Sequence, residues 1–318
     1  MGTVNSIAKE NTLSLMDLFK ATTNVDPVTI QVVIYHNPCQ DGYSAAFVAL
    51  FHLVIKLGLK LELIPSYISD DIDLEKVAGK NVLMVDIVSP NFKEIKAAAK
   101  SLVILDHHRT NEEDLKDIPY AYFDMNKSGV GLAWEYFSQE PIPLFLACVQ
   151  DRDIWTWKIP ESRCFCDGLQ ALVDFSDKEF VILKELMIDE KKFGEIYEVG
   201  KILNQLKMKR IRSIAPIDKP ERNRVTADVK GTKYTIYIYN ITESDLVSDL
   251  GNHVATKFKC DFVVMWKFSH TDNEYFYSLR SIAEKTDVSR IAELFGGGGH
   301  KAAAGMATKE HPNIVFSL

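Results

Sequence analysis

The apolar positions of this chain fall into short runs, and polar residues follow most of these runs directly. Four runs predict buried strands, over residues 31–35, 60–65, 81–86 and 102–105. A longer helical run, 43–57, follows the first strand after the polar loop His36-Asn37-Pro38-Cys39-Gln40-Asp41-Gly42. Apolar strands alternating with helices predict an α/β domain with a parallel sheet that is buried on both faces.

Histidine and acidic side chains stand at the carboxyl ends of these strands. His36 ends the first, Asp86 ends the third, and Asp106-His107-His108 follows the fourth. Parallel strands end at one edge of a sheet, so these side chains and Asp41 of the first loop are expected to converge. Of two neighbouring imidazoles, one can bind a metal while the other faces a substrate. The alternative is that these histidines are unrelated surface or core residues. The repeated position of such side chains at strand ends disfavours this alternative.

The next stretch predicts a short strand, 120–124, and two helices, 130–137 and 144–150. Ser128 precedes the first helix as its expected N-cap, and the alternative is a phosphate bound to that helix start. The second helix leads to Asp151-Arg152-Asp153, which we predict to lie on a loop. A salt-bridged surface is the ordinary interpretation of such a group.

A change of domain is predicted after the Lys- and Glu-rich helical region 177–212, which Pro216 and Pro220 follow. The rest of the chain predicts a mixed α/β arrangement. Its expected elements are a hairpin of 225–228 and 233–239, helices at 245–258 and 289–295, and strands at 261–266 and 274–280.

Four consecutive glycines, 296–299, precede His300 near the end of the chain, and an alanine-rich run follows. Glycine costs backbone entropy, so packing alone rarely explains such a run. We predict a loop of N–H donors leading into a helix start, suited to a phosphate, with His300 as a further donor. A flexible hinge is the alternative.

Composition and charge narrow the class of protein. The length of 318 residues exceeds that of one typical domain. The 37 basic and 44 acidic residues leave a net charge of −7, which disfavours a continuous basic surface for binding long nucleic-acid duplexes. The five scattered cysteines predict reduced thiols in the cytoplasm. The apolar runs are too short to span a membrane. Glu10 and Asp17 interrupt the N-terminal stretch, so we expect an extension instead of a targeting signal.

Five separated motifs together carry a resemblance to a known family. They are H-N-P-C-Q-D-G at 36–42, V-D ending at Asp86, D-H-H at 106–108, D-R-D at 151–153 and G-G-G-G-H-K-A-A-A-G at 296–305. Over about residues 30–318 the chain resembles the DHH phosphoesterase superfamily with its DHH-associated C-terminal domain. That group holds nanoRNases, pAp phosphatases, cyclic-dinucleotide phosphodiesterases and single-strand exonucleases of the RecJ kind.

The expected domains combine these predictions. An N-terminal extension, 1–27, precedes a parallel-sheet DHH domain, 28–190. A helical linker, 191–222, joins it to a smaller α/β substrate-binding domain, 223–318.

The resemblance implies a site with two metal ions, Mn²⁺ by expectation, with Mg²⁺ or another divalent ion as the alternative. Asp86 would bridge the ions, His36 would serve one, and Asp41, His107 and Asp151 the other. His108 would face the scissile phosphate, with Asp106 as the second predicted catalytic residue. The implied substrate-binding residues are Arg280, Gly297, Gly298, Gly299 and His300.

The roles of two residues are left open by the sequence. Many relatives carry an acid three residues after the first histidine, where this chain has Cys39. A thiol is a soft ligand that suits manganese poorly, so we expect Cys39 not to bind the metal. Asp153 is the second open residue, because either acid of the D-R-D segment can face the metals.

We expect a metal-dependent phosphodiesterase that hydrolyses short single-stranded oligonucleotides to 5′-mononucleotides, acting as a monomer or a dimer without a membrane partner. The alternatives are a pAp phosphatase, a linear or cyclic dinucleotide phosphodiesterase, and an exopolyphosphatase or pyrophosphatase. A non-catalytic nucleotide-binding protein of the same fold is a further alternative, motivated by Cys39.

Overall fold

The computed structural model describes residues 25–67, 69–176, 179–219, 221–282 and 285–318. The predicted extension up to residue 24 and Pro220 lie outside the described residues. The chain divides into two compact units: the first ends at Gly200, and the second comprises His108–Thr110 and Lys201–Leu318. Among the described helices, none has the length and apolarity that a bilayer crossing requires.

A parallel sheet of five strands forms the centre of the first unit. Its strands are β1 (Val32–His36), β2 (Glu62–Ser66), β3 (Asn81–Val85), β4 (Ser101–Asp106) and β5 (Ala121–Phe123), in the order β2-β1-β3-β4-β5. Each neighbouring pair is parallel. The predicted α/β fold with a parallel sheet is therefore confirmed.

Helices connect these strands and continue after them. They are α1 (Gln40–Leu50), which passes into a π-helical segment, Phe51–Ile55, then α2 (Leu74–Val77), α3 (Phe92–Ala98), α4 (Glu112–Leu115), α5 (Gly129–Phe137), α6 (Leu144–Asp153), α7 (Ser162–Leu172), α8 (Val181–Ile188) and α9 (Glu190–Ile214). Short 3₁₀ turns lie at Pro27–Thr29 and Arg109–Asn111. The helix α9 runs across Gly200, where the two units divide.

Both faces of the parallel sheet are covered, which explains its unbroken apolar runs. Val33 and Tyr35 of β1 belong to a core with residues of α1, α5, α6 and α7. Their neighbours Val32 and Ile34 belong to a second core with residues of α2 and α3. Because successive strand residues point to opposite faces, a strand buried on both sides needs apolar residues at every position.

The second unit contains a mixed sheet of six strands. They are β6 (Arg224–Val229), β7 (Thr232–Asn240), β8 (Phe262–Ser269), β9 (Glu274–Arg280), β10 (Gly298–His300) and β11 (Ala303–Thr308), in the order β10-β11-β9-β8-β7-β6. Only β7 and β8 pair in parallel. Its helices are α10 (Ser244–Lys257), α11 (Val288–Glu293) and α12 (Pro312–Val315). The predicted hairpin at 225–239 is confirmed.

The predicted helix start after the glycine run is wrong. Residues 303–308 form β11, which pairs along its whole length with β9. Ala304 and Met306 lie in the core of this unit, so the alternation of buried positions outweighs the helix propensity of alanine. Glycine is needed at 297 because a Cβ there would lie 2.2 Å from the carbonyl oxygen of Gly305.

A buried histidine in the first unit makes its stability depend on pH. His52, in the π-helical segment, packs against Trp134 and Phe137 with ring centroids 5.3 and 6.0 Å away. Burial, with a smaller effect of Lys56, lowers the pKa of His52 to about 4. Since the folded pKa lies below the unfolded value, the neutral form is favoured in the folded state, and stability falls as pH drops below about 6.5.

We expect the His52→Leu variant to lose less stability between pH 7 and pH 5 than the wild type, by about 1–2 kcal/mol. Urea unfolding at both pH values, in the presence of a chelator, measures the difference. Equal losses in the two proteins would contradict the assignment.

Candidate metal centre

Asp86 lies at the centre of the predicted site, directly after β3. It has a left-handed backbone with φ 60°, and its N–H donates to the carbonyl oxygen of Leu105 at 3.0 Å. Aspartate tolerates this conformation better than most residues, and such strain is often found at functional sites. The turn thus places a buried carboxylate at the strand edge.

The predicted convergence of side chains from separate strands is observed around Asp86. His107 Nε2 lies 3.1 Å from Asp86 Oδ1, 3.4 Å from Asp153 Oδ2 and 3.8 Å from Asp41 Oδ2. On the other side of the carboxylate, Asp86 Oδ2 lies 3.5 Å from His36 Nδ1 and 3.7 Å from Cys39 Sγ. Asp86 therefore lies between two donor sets, His36 with Cys39, and Asp41 with His107 and Asp153.

Helix α1 begins at Gln40, three residues before its predicted start, so Asp41 lies in the first helical turn instead of a loop. Gly42, which favoured a loop in the sequence, permits a close approach of this helix to β1. A Cβ at position 42 would lie 2.2 Å from the carbonyl oxygen of His36. The missing side chain thus keeps His36 and Asp41 at the same edge of the sheet.

The start of α5 fixes the orientation of Asp41. The N–H groups of Gly129 and Val130 donate to its two carboxylate oxygens. Ser128 caps the same helix by accepting from Gly131 N, which confirms its predicted role. These first N–H groups bind a carboxylate of the chain itself, so the alternative of a phosphate at this helix start is not supported.

The gathered carboxylates shift the pKa values of their neighbours. Burial, and then Asp86 and Asp153, raise the pKa of Asp41 well above its usual range. Burial alone would lower the pKa of His107, but hydrogen bonding to Asp86 and the surrounding acids raise it to about 10. Burial and the same acids raise the pKa of Cys39. A site that favours protons this strongly also suits a divalent cation.

The D-R-D segment lies on the last turn of α6, and the predicted loop is wrong. Helical geometry continues through Asp153, so the two acids point to different surroundings. Asp153 is the acid that joins His107 and Asp41, while Asp151 belongs to none of the possible metal-binding groups of the described residues. The structure therefore brings Asp153 to the site in place of the predicted Asp151.

Asp151 instead holds the turn that follows α6. Its carboxylate accepts from Thr156 Oγ1, Lys158 N, Ile159 N and Ser162 Oγ. Its burial would raise the pKa of Asp151, but these hydrogen bonds lower it overall. The turn contains Trp155 and Trp157, both with positive φ, a conformation that bulky residues rarely adopt.

Asp106, the first residue of the D-H-H motif, is placed differently from His107. Asp106 is buried, and its Oδ2 accepts from Asn111 Nδ2 at 2.8 Å. His108 directly follows His107 and is half-buried, and the division of the chain groups His108–Thr110 with the second unit. Asp106 thus ties the motif to Asn111, a partner that sequence reasoning missed although it lies only five residues away.

Within the second unit, the predicted residues do not all have the same environment. Gly298–His300 form β10, which pairs with β11, and Gly297 precedes it. Arg280 ends β9, where its Nη2 donates to Ser248 Oγ at 2.9 Å and its Nη1 to Leu279 O at 2.9 Å. Burial lowers the pKa of Arg280 to about 10.

Arg280 lines a pocket of about 210 Å³ on the α10 side of this sheet. Trp266, Lys267 and Phe276 also line it, with Ser244, Ser248 and Ser278 as hydroxyl donors. Gly251 makes room for the arginine, because a Cβ there would lie 2.5 Å from Arg280 Cγ. The pocket combines a cation, hydroxyl groups and aromatic surface.

Gly129 is a site residue that sequence reasoning did not find. A Cβ at this position would lie 2.5 Å from Asp86 Cβ and 2.8 Å from Asp41 Oδ2. The glycine therefore lets the start of α5 pass between the two carboxylates. The signal in the sequence was the small pair Ser128-Gly129 before an apolar helix, which predicted only a cap.

The family comparison matches a segment within the N-terminal half of the chain. A model described as the DHH family, N-terminal domain, matches residues 29–151. The uncharacterized protein R106 of Acanthamoeba polyphaga mimivirus is 35% identical over 299 residues, which cover 87% of this chain and 67% of that protein.

Solved structures are similar to this chain over most of its length. An exopolyphosphatase-related protein from Bacteroides fragilis is 14% identical, with a TM-score of 0.54, over 96% of this chain and 95% of its own. RecJ from Thermus thermophilus, in complex with Mn²⁺, is 16% identical, with a TM-score of 0.47, over 94% of this chain and 52% of its own.

The two acids of the D-R-D segment are expected to respond differently to removal. Asp151→Ala leaves four donors, among them the buried Ser162, without their acceptor and should destabilise the protein by about 2–4 kcal/mol. Asp153→Ala removes a partly exposed charge beside two other acids, and should change stability by less than about 0.5 kcal/mol while weakening Mn²⁺ binding. Urea unfolding with chelator and calorimetric Mn²⁺ titration test this. A stable Asp151→Ala variant that loses the metal would reverse the assignment.

Gly129→Ala should destabilise the protein by about 1–3 kcal/mol through overpacking, and should weaken Mn²⁺ binding by displacing Asp86 or Asp41. Gly194→Ala is the matched control, because a Cβ at this position of α9 meets no atom of the described residues within 4 Å. It should be neutral or stabilise the helix by up to about 1 kcal/mol. Unfolding curves and metal titrations of both variants decide the matter, and equal behaviour would refute the role of Gly129.

Proposed function

Because this chain belongs to the DHH phosphoesterase superfamily, we propose that it is a metal-dependent phosphodiesterase that hydrolyses short oligonucleotides to 5′-mononucleotides. One observation carries this proposal. Candidate metal ligands from four chain segments converge at one site, namely His36 and Asp41, Asp86, His107, and Asp153. A buried acid with a raised pKa, as Asp41 has beside Asp86, is unfavourable in itself and is typical of metal and catalytic sites.

The donors suit two divalent cations. Asp86 lies between the two donor sets and would serve both cations, with His36 holding one, and with Asp41, His107 and Asp153 holding the other. Carboxylate oxygens and imidazole nitrogens suit Mn²⁺ and Mg²⁺. When bound, two such ions supply Lewis acidity at the phosphate and make a nucleophilic water available near neutral pH.

The residues of the chain position these donors and the substrate. Asp41 is held by the N–H groups of α5, so its oxygens keep a fixed direction. Asp106 acts as a positioning residue, since Asn111 holds its carboxylate and the next residue is His107. We assign His108 to the reacting phosphate, where its imidazole can donate a proton or a hydrogen bond.

The pocket around Arg280 supports a nucleotide over a bare polyphosphate as the substrate. Within the described residues, the hydrogen bonds of the guanidinium go to uncharged oxygens, so its charge is available for a phosphate. Trp266 and Phe276 in the same pocket offer surface for a base. We propose that Arg280 and the segment Gly297–His300 bind the nucleotide.

Product analysis of the purified full chain tests the proposal. The substrates are a 5′-labelled RNA dinucleotide, a 24-mer, pAp, cyclic di-AMP and tripolyphosphate, each with Mn²⁺ and with chelator. We expect preferential release of 5′-mononucleotides from the dinucleotide. Asp86→Asn should lower this rate by about a hundredfold or more, because several kcal/mol of charge stabilisation are lost.

The variant Arg280→Gln separates substrate binding from chemistry. It should raise KM for the dinucleotide while leaving hydrolysis of the small ester bis(4-nitrophenyl) phosphate unchanged. Turnover confined to pAp or tripolyphosphate would overturn the proposed substrate. No turnover with Mn²⁺, Mg²⁺, Co²⁺ or Zn²⁺ would favour a non-catalytic nucleotide-binding protein.

A further inference from the structure

The donor set on the His36 side of Asp86 contains a sulfur atom. Cys39 stands directly before α1, with its thiol directed at Asp86, and Sγ lies 3.7 Å from Asp86 Oδ2. His36 Nδ1 lies 3.5 Å from the same oxygen. All three candidate ligand atoms lie within 4.8 Å of one another.

These distances suit one small tetrahedral ion. With bonds of about 2.3 Å to sulfur and about 2.0 Å to nitrogen and oxygen, such an ion holds sulfur and oxygen about 3.5 Å apart, and nitrogen and oxygen about 3.3 Å apart. The observed separations of 3.7 and 3.5 Å exceed these values by only about 0.2 Å. A small movement of the side chains is enough to close the site.

The donor set on the other side of Asp86 is different in kind. Asp41, Asp153 and His107 offer only oxygen and nitrogen. Soft thiolate ligands favour Zn²⁺ and similar ions, whereas carboxylates favour Mn²⁺ and Mg²⁺. Two neighbouring sets of unequal softness can therefore select two different metals.

We propose that Cys39 is a metal ligand and that, with His36 and Asp86, it selects a borderline ion such as Zn²⁺ for one of the two subsites. The other subsite, of Asp41, His107 and Asp153, takes a hard ion such as Mn²⁺. This inference rests on the proposed function only in requiring the two-metal site. It revises the expectation that Cys39 does not bind the metal.

Binding of the cation to Cys39 breaks the S–H bond, forms a sulfur–metal bond and releases the proton to solvent. Before binding, the thiol donates a hydrogen bond to Asp86. The same contact thus has two explanations, a thiol that only hydrogen-bonds and a thiolate that binds metal, and spectroscopy distinguishes them.

Cobalt substitution of the full chain provides the primary test. The protein is stripped with chelator under a phosphine reductant and titrated with Co²⁺, which reports a thiolate ligand by an intense sulfur-to-cobalt band in the near ultraviolet. We expect the band in the wild type and its loss in Cys39→Ser and Cys39→Asp. Cys164→Ser is the matched control, since Cys164 is also half-buried and belongs to none of the candidate metal groups of the described residues.

Metal competition gives a second readout. The Irving–Williams order gives Zn²⁺ an advantage over Mn²⁺ at either subsite, so the readout is the change in affinity between the wild type and the variant, measured by competition of the two ions. Cys39→Asp should bind Zn²⁺ at least about tenfold more weakly than the wild type, because a carboxylate replaces the thiolate, while its affinity for Mn²⁺ should not fall. Unfolding curves show whether each variant folds. The wild-type spectrum tests the role of Cys39 even if a variant fails to fold.

The outcomes separate this inference from the proposed function. A folded wild type that binds two Co²⁺ ions without the sulfur band overturns the role of Cys39, and Mn²⁺-dependent hydrolysis by the same sample leaves the phosphodiesterase standing. The sulfur band in a protein that turns over no substrate supports Cys39 and overturns the enzyme. A band that persists in Cys39→Ser also overturns the assignment.

Discussion

Three carboxylates crowd one imidazole in the first unit, and the other features of the site depend on this crowding. Asp41, Asp86 and Asp153 all lie within 3.8 Å of His107 Nε2. Like charges gathered around one buried imidazole repel each other strongly unless protons or cations intervene. The N–H groups at the start of α5 and the imidazole of His107, whose pKa is raised to about 10, both stabilise this negative charge. A divalent cation can take the place of the proton on His107.

Close backbone approaches make this crowding sterically feasible. Gly42 lets α1 begin beside the last residue of β1, and Gly129 lets α5 begin between Asp41 and Asp86. A side chain at either position would push a helix start away from the sheet edge. The parallel sheet supplies the common edge, and the glycines allow the helices to bring Asp41 and its hydrogen-bond donors to it.

Hydrogen bonding separates the structural acids from the candidate ligands. Asp151 accepts from four donors of the following turn, and Asp106 accepts from Asn111, so both support the backbone near the site. Asp86 and Asp153 face His107 instead. Within the described residues, Arg280 likewise donates to uncharged oxygens, which is the reason for proposing it as a phosphate-binding residue. Neighbouring residues of one motif therefore serve different purposes.

The sequence by itself determined the parallel sheet, the order of its strands along the chain and the strand ends at which His36, Asp86 and His107 stand, because apolar runs and the polar residues after them are local signals. It also predicted the hairpin of the second unit, the two strands that follow it, and Ser128 as a cap. Only the tertiary structure decided between Asp151 and Asp153, because the direction of a side chain on the last turn of a helix depends on what packs around that turn. It also decided that the alanine-rich run after the glycines is a strand, since pairing with β9 outweighs local propensity. The place of Cys39 beside Asp86 likewise depends on a contact between residues 47 positions apart, which no local pattern encodes.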